Sequence, residues 1–273
     1  MLLAPDEPAP VLAFRCDGKS DFVITVDHAS ARIPRSLRSL GLSDTDLDRH
    51  IAWDIGALAV AESVSAALDA PLVAQNYSRL VIDCNRRPGE PAAIPAISEC
   101  TPIPGNLHLR AAQVSARRRE IWEPYHEHLR VLLDERAVAG KRTILIFQHS
   151  MTDVFMGVRR EMQAAVICGQ DRRFAERLLE ALRSQPGLIV GDNEPYSGKD
   201  QISYSMPHHA ESRGLPHAEV EIRQDLIQRP EGVAEWAERM RIALSAAAEA
   251  FFAQRSAPAI SASMSRVSRG EWG

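Results

Sequence analysis

Short apolar runs in this chain repeatedly end, or nearly end, on residues with chemistry to offer. Residues 22–28 close on Asp27-His28, 80–86 on Asn85-Arg86, 144–149 on His149, and 218–223 carry Glu221 and Arg223. Runs of this length rich in Val and Ile read as strands buried on both faces. Strands are therefore expected over 22–27, 71–74, 79–83, 143–148, 164–168 and 218–223, with Leu188-Ile-Val190 leading into a turn-rich stretch that reaches Gly198. Between these runs the period lengthens. Leu47, Ile51, Leu58, Ala61, Val64 and Leu68 recur at three- and four-residue steps, which predicts one helix from Asp44 to Leu68 with Ser43 as its N-cap. Further helices are expected over 109–139, 172–184 and 233–254. Residues 87–107 hold five prolines and two glycines without periodicity, and a loop of that length is expected to cover a ligand pocket. The Ser-rich tail 256–273 is expected to be poorly ordered.

Alternation of strand and helix implies one α/β domain over 1–255, with three layers and a mixed, mostly parallel central sheet. In such a sheet the carboxyl ends of the strands face the crevice where ligands bind. Composition changes this picture little: 273 residues, 45% hydrophobic and 25% charged, are ordinary for a globular protein. A net charge of −4 argues against a nucleic-acid partner. The basic run Arg117-Arg118-Arg119 is followed by Glu120 and Glu123 at helical spacing and reads as a solvated helix face. Four scattered cysteines without a CxxC pair need not form a disulfide framework or a thiolate zinc site, and Cys84 and Cys168 read as core residues. No stretch approaches the roughly 20 apolar residues that cross a bilayer. The first residues lack the pattern of a signal peptide, so a soluble cytoplasmic protein is expected.

The strand-end residues suggest a metal-assisted hydrolase. His28 and His149 each follow an apolar run, and two imidazoles delivered to one crevice can share a zinc ion. No HxxE or HExxH spacing supplies a third ligand; Asp54, a carboxylate within an apolar stripe, is the best candidate, or else a partner of a ligand histidine. Asn85 and Arg86 together suit a carboxylate, which guanidinium grips bidentately. Arg79, at the other end of the same run, is placed to add a second contact or to polarise a carbonyl, while Asp83 orients the loop; a purely structural Asp–Arg network is the competing reading. Glu221 interrupts an apolar strand and requires either an arginine or a metal-bound water nearby, which would make it a proton carrier. Glu219 points to the same face, so the pattern leaves the choice between the two open. Asn193, Tyr196 and His217 are weaker loop candidates. His208-His209 reads as a solvent-facing turn.

Taken in order, Asp27-His28-Ala-Ser, Trp53-Asp54-Ile-Gly56, Arg79 to Arg86, His149-Ser150, Asn193-Glu-Pro-Tyr196 and Glu219-Val-Glu221-Ile resemble the N-formylglutamate amidohydrolase family. The matching stretches run from about residue 22 to 227. That family resembles the zinc carboxypeptidase and aspartoacylase hydrolases, so the resemblance implies a zinc carboxypeptidase-like three-layer α/β/α fold. It implies one zinc ion on His28 and His149, the substrate carboxylate on Asn85 and Arg86, and Glu221 rather than Glu219 as the general acid/base. One position departs from the relatives' HxxE pattern: Ala31 stands where their second ligand would be, and Asp54 is the candidate replacement. The expected activity is zinc-dependent hydrolysis of a small anionic N-acyl amino acid such as N-formylglutamate, with neither nucleic acid nor membrane as partner. The alternative is a non-catalytic carboxylate-binding protein without a full metal site. A serine hydrolase is disfavoured because Ser150 lacks a GxSxG setting, and a dinucleotide enzyme because no GxGxxG follows the first strand.

Overall fold

The computed structural model describes residues 1–198 and 203–256. Seven strands form one sheet: β1 (Val11–Phe14), β2 (Phe22–Val26), β3 (Leu72–Gln75), β4 (Ile144–Met151), β5 (Ala164–Ile167), β6 (Val190–Asp192) and β7 (His217–Arg223). Their order is β1-β3-β2-β4-β7-β5-β6. The run β3-β2-β4-β7 is parallel throughout, and β5 and β6 are parallel to each other. Only β1 against β3 and β5 against β7 are antiparallel. The mixed, mostly parallel sheet is the one expected, although β1 was not anticipated.

Period-two alternation divides the buried strand residues between two cores. Ile24, Val26, Leu72, Ile144, Ile146 and Val220 pack against helices α1 (Ala57–Leu68), α4 (Arg173–Arg183) and α5 (Pro230–Ser256). Val23, Val73, Leu145, Phe147 and Ile167 pack on the opposite face against Leu129 and Leu133. Those leucines belong to α3 (Glu123–Val138), which follows α2 (Ala111–Arg117) through a single wide turn, Arg118–Trp122. Helices on both faces of the sheet make the three-layer α/β/α architecture. Among the described residues no helix is long and apolar enough to cross a membrane. Of the tail expected from Ser256, all but Ser256 itself lies outside the described residues, as do residues 199–202.

Two sequence expectations fail here for local reasons. The helix expected over Asp44–Leu68 is broken: one turn, Asp44–Leu47, carries the Ser43 capping box, and the next helix starts only at Ala57. Gly56 ends the break in a left-handed conformation (φ 79°), where an added Cβ would run into the Ile227 carbonyl. Asp54 therefore sits in a turn, not on a helix stripe, with its N–H donated to the His28 carbonyl at 2.9 Å. The strand expected over 79–83 is a series of turns instead. Leu80, Val81 and Ile82 are fully buried in the second core, but side chains satisfy their backbone rather than a neighbouring strand. Asn106 Nδ2 donates to the Leu80 carbonyl and Arg117 Nη1 to the Val81 carbonyl, each at 2.9 Å.

Arg117 thus corrects the reading of 117–119 as a solvated face. It is only 1% exposed and also donates to Asn106 Oδ1 and the Gly105 carbonyl, while Arg118 and Arg119 pair at the surface with Glu123 and Glu120. Burial lowers its pKa to about 10. The same residue pins the 87–107 segment, which contains a two-residue hairpin (Ile97–Ser98 with Thr101–Pro102) and buries Ala93, Ile103 and Asn106. Arg117→Ala leaves two buried acceptors and one part-buried acceptor without a donor, so it is expected to destabilise the fold by about 3 kcal/mol. Urea unfolding is the check: a loss below about 0.5 kcal/mol, the range of ordinary surface changes, would contradict this account.

Candidate active site

Most of the residues singled out from sequence meet at the carboxyl ends of β2, β4 and β7, on the α3 side of the sheet. Asp27 and His28 emerge directly after β2. His149 lies within β4, and in the parallel register of β4 and β7 it stands opposite Glu221. Asp54 enters from the turn before α1, and Arg79, Asp83, Asn85 and Arg86 from the turns after β3. The lining of a cavity of about 190 Å³ includes His28, Asp54, Arg79, His149 and Glu221, together with Asn85, Arg86, Tyr196 and Glu219. A cavity of this size admits a small molecule, below the volume usual for drug-sized ligands.

Asp54 is the centre of the polar network. Its Oδ2 lies 2.8 Å from His149 Nδ1 and 3.3 Å from His28 Nδ1, and accepts from the Ser150 N–H at 3.4 Å. One ligand atom from each of His28, Asp54 and His149 can be chosen so that all lie within 4.8 Å of one another, and all three side chains are buried. Each histidine turns its remaining nitrogen to another carboxylate: His28 Nε2 is 2.8 Å from Asp83 Oδ1, and His149 Nε2 is 3.6 Å from Asp27 Oδ2. Carboxylates that back metal-ligating histidines in this way fix ring orientation and raise basicity. The donor set of two imidazoles and one carboxylate suits zinc, so these residues fit a metal ion. Ala31 packs among the apolar residues of the second core.

Burial and charged neighbours compete at the buried carboxylates and histidines described next. Burial alone would raise the Asp54 pKa, but His28 and His149 hold it far below the usual carboxylate range. Asp83 is likewise held low, by Arg79 and His28 against burial. Burial and the Arg79 charge oppose protonation of His28, yet Asp83 and Asp54 raise its pKa. His149 is raised further, by Asp27 and Asp54 against burial. Glu219 and Glu221 go the other way: burial raises both, and Glu221 reaches about 8. Glu221 Oε2 is buried without a hydrogen-bond partner. A set of carboxylates driven apart in this manner is the usual signature of assigned acid and base roles.

The remaining candidates separate clearly. Arg79 bridges Asp83 Oδ2 (2.9 Å) and Asp54 Oδ1 (3.5 Å) at the cavity wall. Asn85 Oδ1 accepts from the backbone N–H groups of Tyr204 and Ser205, both at 3.0 Å, which leaves its Nδ2 donor for a ligand. Tyr196 reaches the cavity with its hydroxyl oxygen accepting from Arg160 Nη2 at 3.0 Å; because arginine only donates, the tyrosine proton is directed elsewhere. Asn193 is not brought to the cavity: its Oδ1 accepts from the Cys168 and Gly198 N–H groups and shapes the loop. His217 opens β7 at the far end of the strand. His209 is fully buried, which overturns the reading of His208-His209 as a solvent-facing turn. No residue of 87–107 lines the cavity, so that segment does not cover it; Pro195, Tyr196, Ser197 and Ser203 bound it instead. Asp27 and Arg160 escaped sequence reasoning as partners of His149 and Tyr196, and only the neighbour relation Asp27-His28 carried a signal for either.

The sequence profile of the N-formylglutamate amidohydrolase family matches residues 20–228. Among solved structures, the gene product Atu2144 from Agrobacterium tumefaciens is 35% identical, over 92% of this chain and 100% of its own, with a TM-score of 0.90. The N-formylglutamate amidohydrolase from Ralstonia eutropha JMP134 is 20% identical, over 92% of this chain and 100% of its own, with a TM-score of 0.63, a likeness of fold. No curated protein matches the chain.

Asp27 gives the site a pH signature. Burial pushes its pKa up, but His149, His28 and the Tyr125 hydroxyl, which donates to Oδ1 at 2.6 Å, bring it down to about 2. A depressed carboxylate contributes stability that is complete above its unfolded value near 4 and is lost as pH falls through about 2. Tyr125→Phe removes one of the groups that lower it, and is expected to cost about 1–2 kcal/mol at pH 6. The difference from wild type should shrink below pH 4. Urea titrations at pH 6, 4 and 3 check this, and a difference that stayed constant or grew towards low pH would contradict it.

Proposed function

The chain belongs to the N-formylglutamate amidohydrolase family, hydrolases of an amide bond, and on that premise we propose that it is a zinc-dependent amidohydrolase of a small anionic N-acyl amino acid such as N-formylglutamate. The observation that carries this reading is the meeting of His28, Asp54 and His149 beside the unpartnered Glu221 carboxyl in one small cavity. His28, Asp54 and His149 would hold one zinc ion. When bound, zinc supplies Lewis-acid polarisation of the amide carbonyl and a water acidic enough to act as nucleophile near neutral pH.

The protein's own groups do the rest. Arg86 grips the substrate carboxylate as a bidentate donor, and Asn85 adds its Nδ2 amide, so that the scissile amide is carried to one position. Arg79, locked between Asp54 and Asp83, presents a fixed positive charge to the carbonyl oxygen as negative charge develops there. Glu221 carries the proton between the attacking water and the leaving amine. A carboxyl whose pKa is lifted to about 8 is matched to that duty near neutral pH, since it can both take and return a proton. Glu221 is preferred over Glu219 because it stands opposite His149 and has a free carboxyl oxygen. Tyr196 contributes a hydroxyl donor at the cavity mouth. The alternative of a non-catalytic carboxylate binder rests on Ala31, and the proximity of Asp54 to both histidines weighs against it.

Two measurements test this function. Protein purified without chelators is expected to hold about one zinc per chain, and His28→Ala and Asp54→Ala are each expected to lose it; retention of full metal content in both would refute the ligand set. Glu221→Gln should keep the metal while kcat on N-formylglutamate or another accepted N-acyl amino acid falls by about 10²-fold or more. Wild-type turnover in that variant would remove Glu221 from the mechanism.

A further inference from the structure

The carboxylate grip, Asn85-Arg86, lies on irregular backbone, and that backbone is held by donors from Trp122 in the turn before α3, His126 on α3 and Tyr204. The carbonyls of Cys84, Asn85 and Arg86 are each held by a different donor. His126 Nε2 meets the Cys84 carbonyl at 2.9 Å, the Tyr204 N–H meets that of Asn85 at 3.1 Å, and Trp122 Nε1 meets that of Arg86 at 3.1 Å. Trp122 and Tyr204 also pack on the His126 ring, with centroids 4.1 Å and 5.0 Å away.

The proton positions in this cluster follow from the partners. A carbonyl only accepts, so His126 Nε2 carries the proton. His126 Nδ1 is 2.8 Å from His209 Nε2. Burial lowers the pKa of His126 to about 4 and that of His209 to about 2, so both rings are neutral. His126 Nδ1 is then the acceptor and His209 Nε2 the donor, which leaves His209 Nδ1 as a buried lone pair without a partner. Each ring is confined to one tautomer, and the chain of donors runs from His209 through His126 to the Cys84 carbonyl. Neither histidine lines the cavity, and neither has a place in the hydrolytic chemistry above.

We propose that His126, held in one tautomer by His209, is a positioning residue that fixes the Cys84–Arg86 backbone so that Asn85 and Arg86 meet the substrate carboxylate. The inference rests on the carboxylate role given to those two residues above. It accounts for two buried histidines that do not line the cavity, and for one of the contacts that hold an irregular loop to its geometry. A loose backbone here would weaken binding while leaving the groups around Glu221 in place, so the defect belongs in KM.

The test compares zinc-loaded His126→Phe, His126→Gln and Arg86→Gln with wild type, using N-formylglutamate as the probe. Phe keeps the ring and loses the donor; Gln restores a donor without the ring. His126→Phe is expected to raise KM about tenfold, the scale of one buried carbonyl left unpaired, with kcat within about twofold, and His126→Gln to recover most of the affinity. Wild-type KM in His126→Phe, or parallel losses in kcat and KM with no recovery by Gln, overturns the proposal. Arg86→Gln separates the two levels: if it leaves KM unchanged, the carboxylate reading itself fails. If it raises KM strongly while His126→Phe does not, only the positioning role fails. Should His126→Phe not fold, His209→Leu decides, because it releases the His126 tautomer without touching the Cys84 contact; there a raised KM supports the proposal and a wild-type KM overturns it.

Discussion

A buried carboxylate oxygen must be met by donors from several directions, and Asp54 Oδ2 imposes that constraint on this structure. Burying an ionised carboxylate without partners costs far more than a fold of ordinary stability can bear. Here the oxygen faces His28 from beyond β2, His149 from β4 and the Ser150 N–H, and Arg79 approaches the other oxygen. Its position is fixed by backbone as well, through the Asp54 N–H on the His28 carbonyl. The imidazoles in turn face carboxylates on their far sides, Asp83 within hydrogen-bond distance of His28 and Asp27 at 3.6 Å from His149, and Asp27 accepts from the Tyr125 and Ser205 hydroxyls. The requirement thus spreads outward from one atom through β2, β4, the turns after β3, helix α3 and Ser205.

Strand order explains why these groups can meet at all. β2, β4 and β7 are adjacent and parallel, so their carboxyl ends open on the same edge of the sheet. Register then places Glu221 opposite His149, and alternation puts Glu219 and Glu221 on the face shared by Leu145, Phe147 and α3. β5 runs antiparallel beside β7 and sends its chain back, so it contributes no residue to the cavity lining. The chemistry therefore gathers on the parallel part of the sheet.

This logic made much of the site legible in sequence. Apolar runs closing on His28, His149 and Glu221 identify strands by composition and length, and strand ends identify the crevice by topology. What misled was backbone that is buried without belonging to a sheet or helix. Leu80-Val-Ile reads as a strand because periodicity registers burial, and here the Asn106 and Arg117 side chains replace the missing strand partner. The helical pattern through Asp54 continues across a turn because Ile51 and Leu58 both reach a core, though not the same one; the warning was Gly56, whose conformation no other residue adopts cheaply. His209 and Arg117 were taken for surface residues because polar type alone carries no information about a partner far away in sequence.

Asn85, Tyr196 and Asp83 share a further property: most of their polar atoms are already committed. Asn85 has given its oxygen to two backbone N–H groups, Tyr196 has given its oxygen's lone pair to Arg160, and Asp83 divides its oxygens among His28, Arg79 and the Asn85 N–H. Each group can therefore offer a ligand only one thing, and only in one direction. That is what preorganisation requires in physical terms, because a group with a single unmet valence cannot lower its energy by turning away from the substrate. Glu221 differs from these three. One of its carboxyl oxygens is committed to nothing although it is buried, a state that costs free energy in the resting protein and is relieved only when a proton donor or acceptor arrives beside it. Glu221 Oε2 shares this state with His149 Nε2 and Asp27 Oδ2, and these unmet atoms mark the part of the network left open to a ligand.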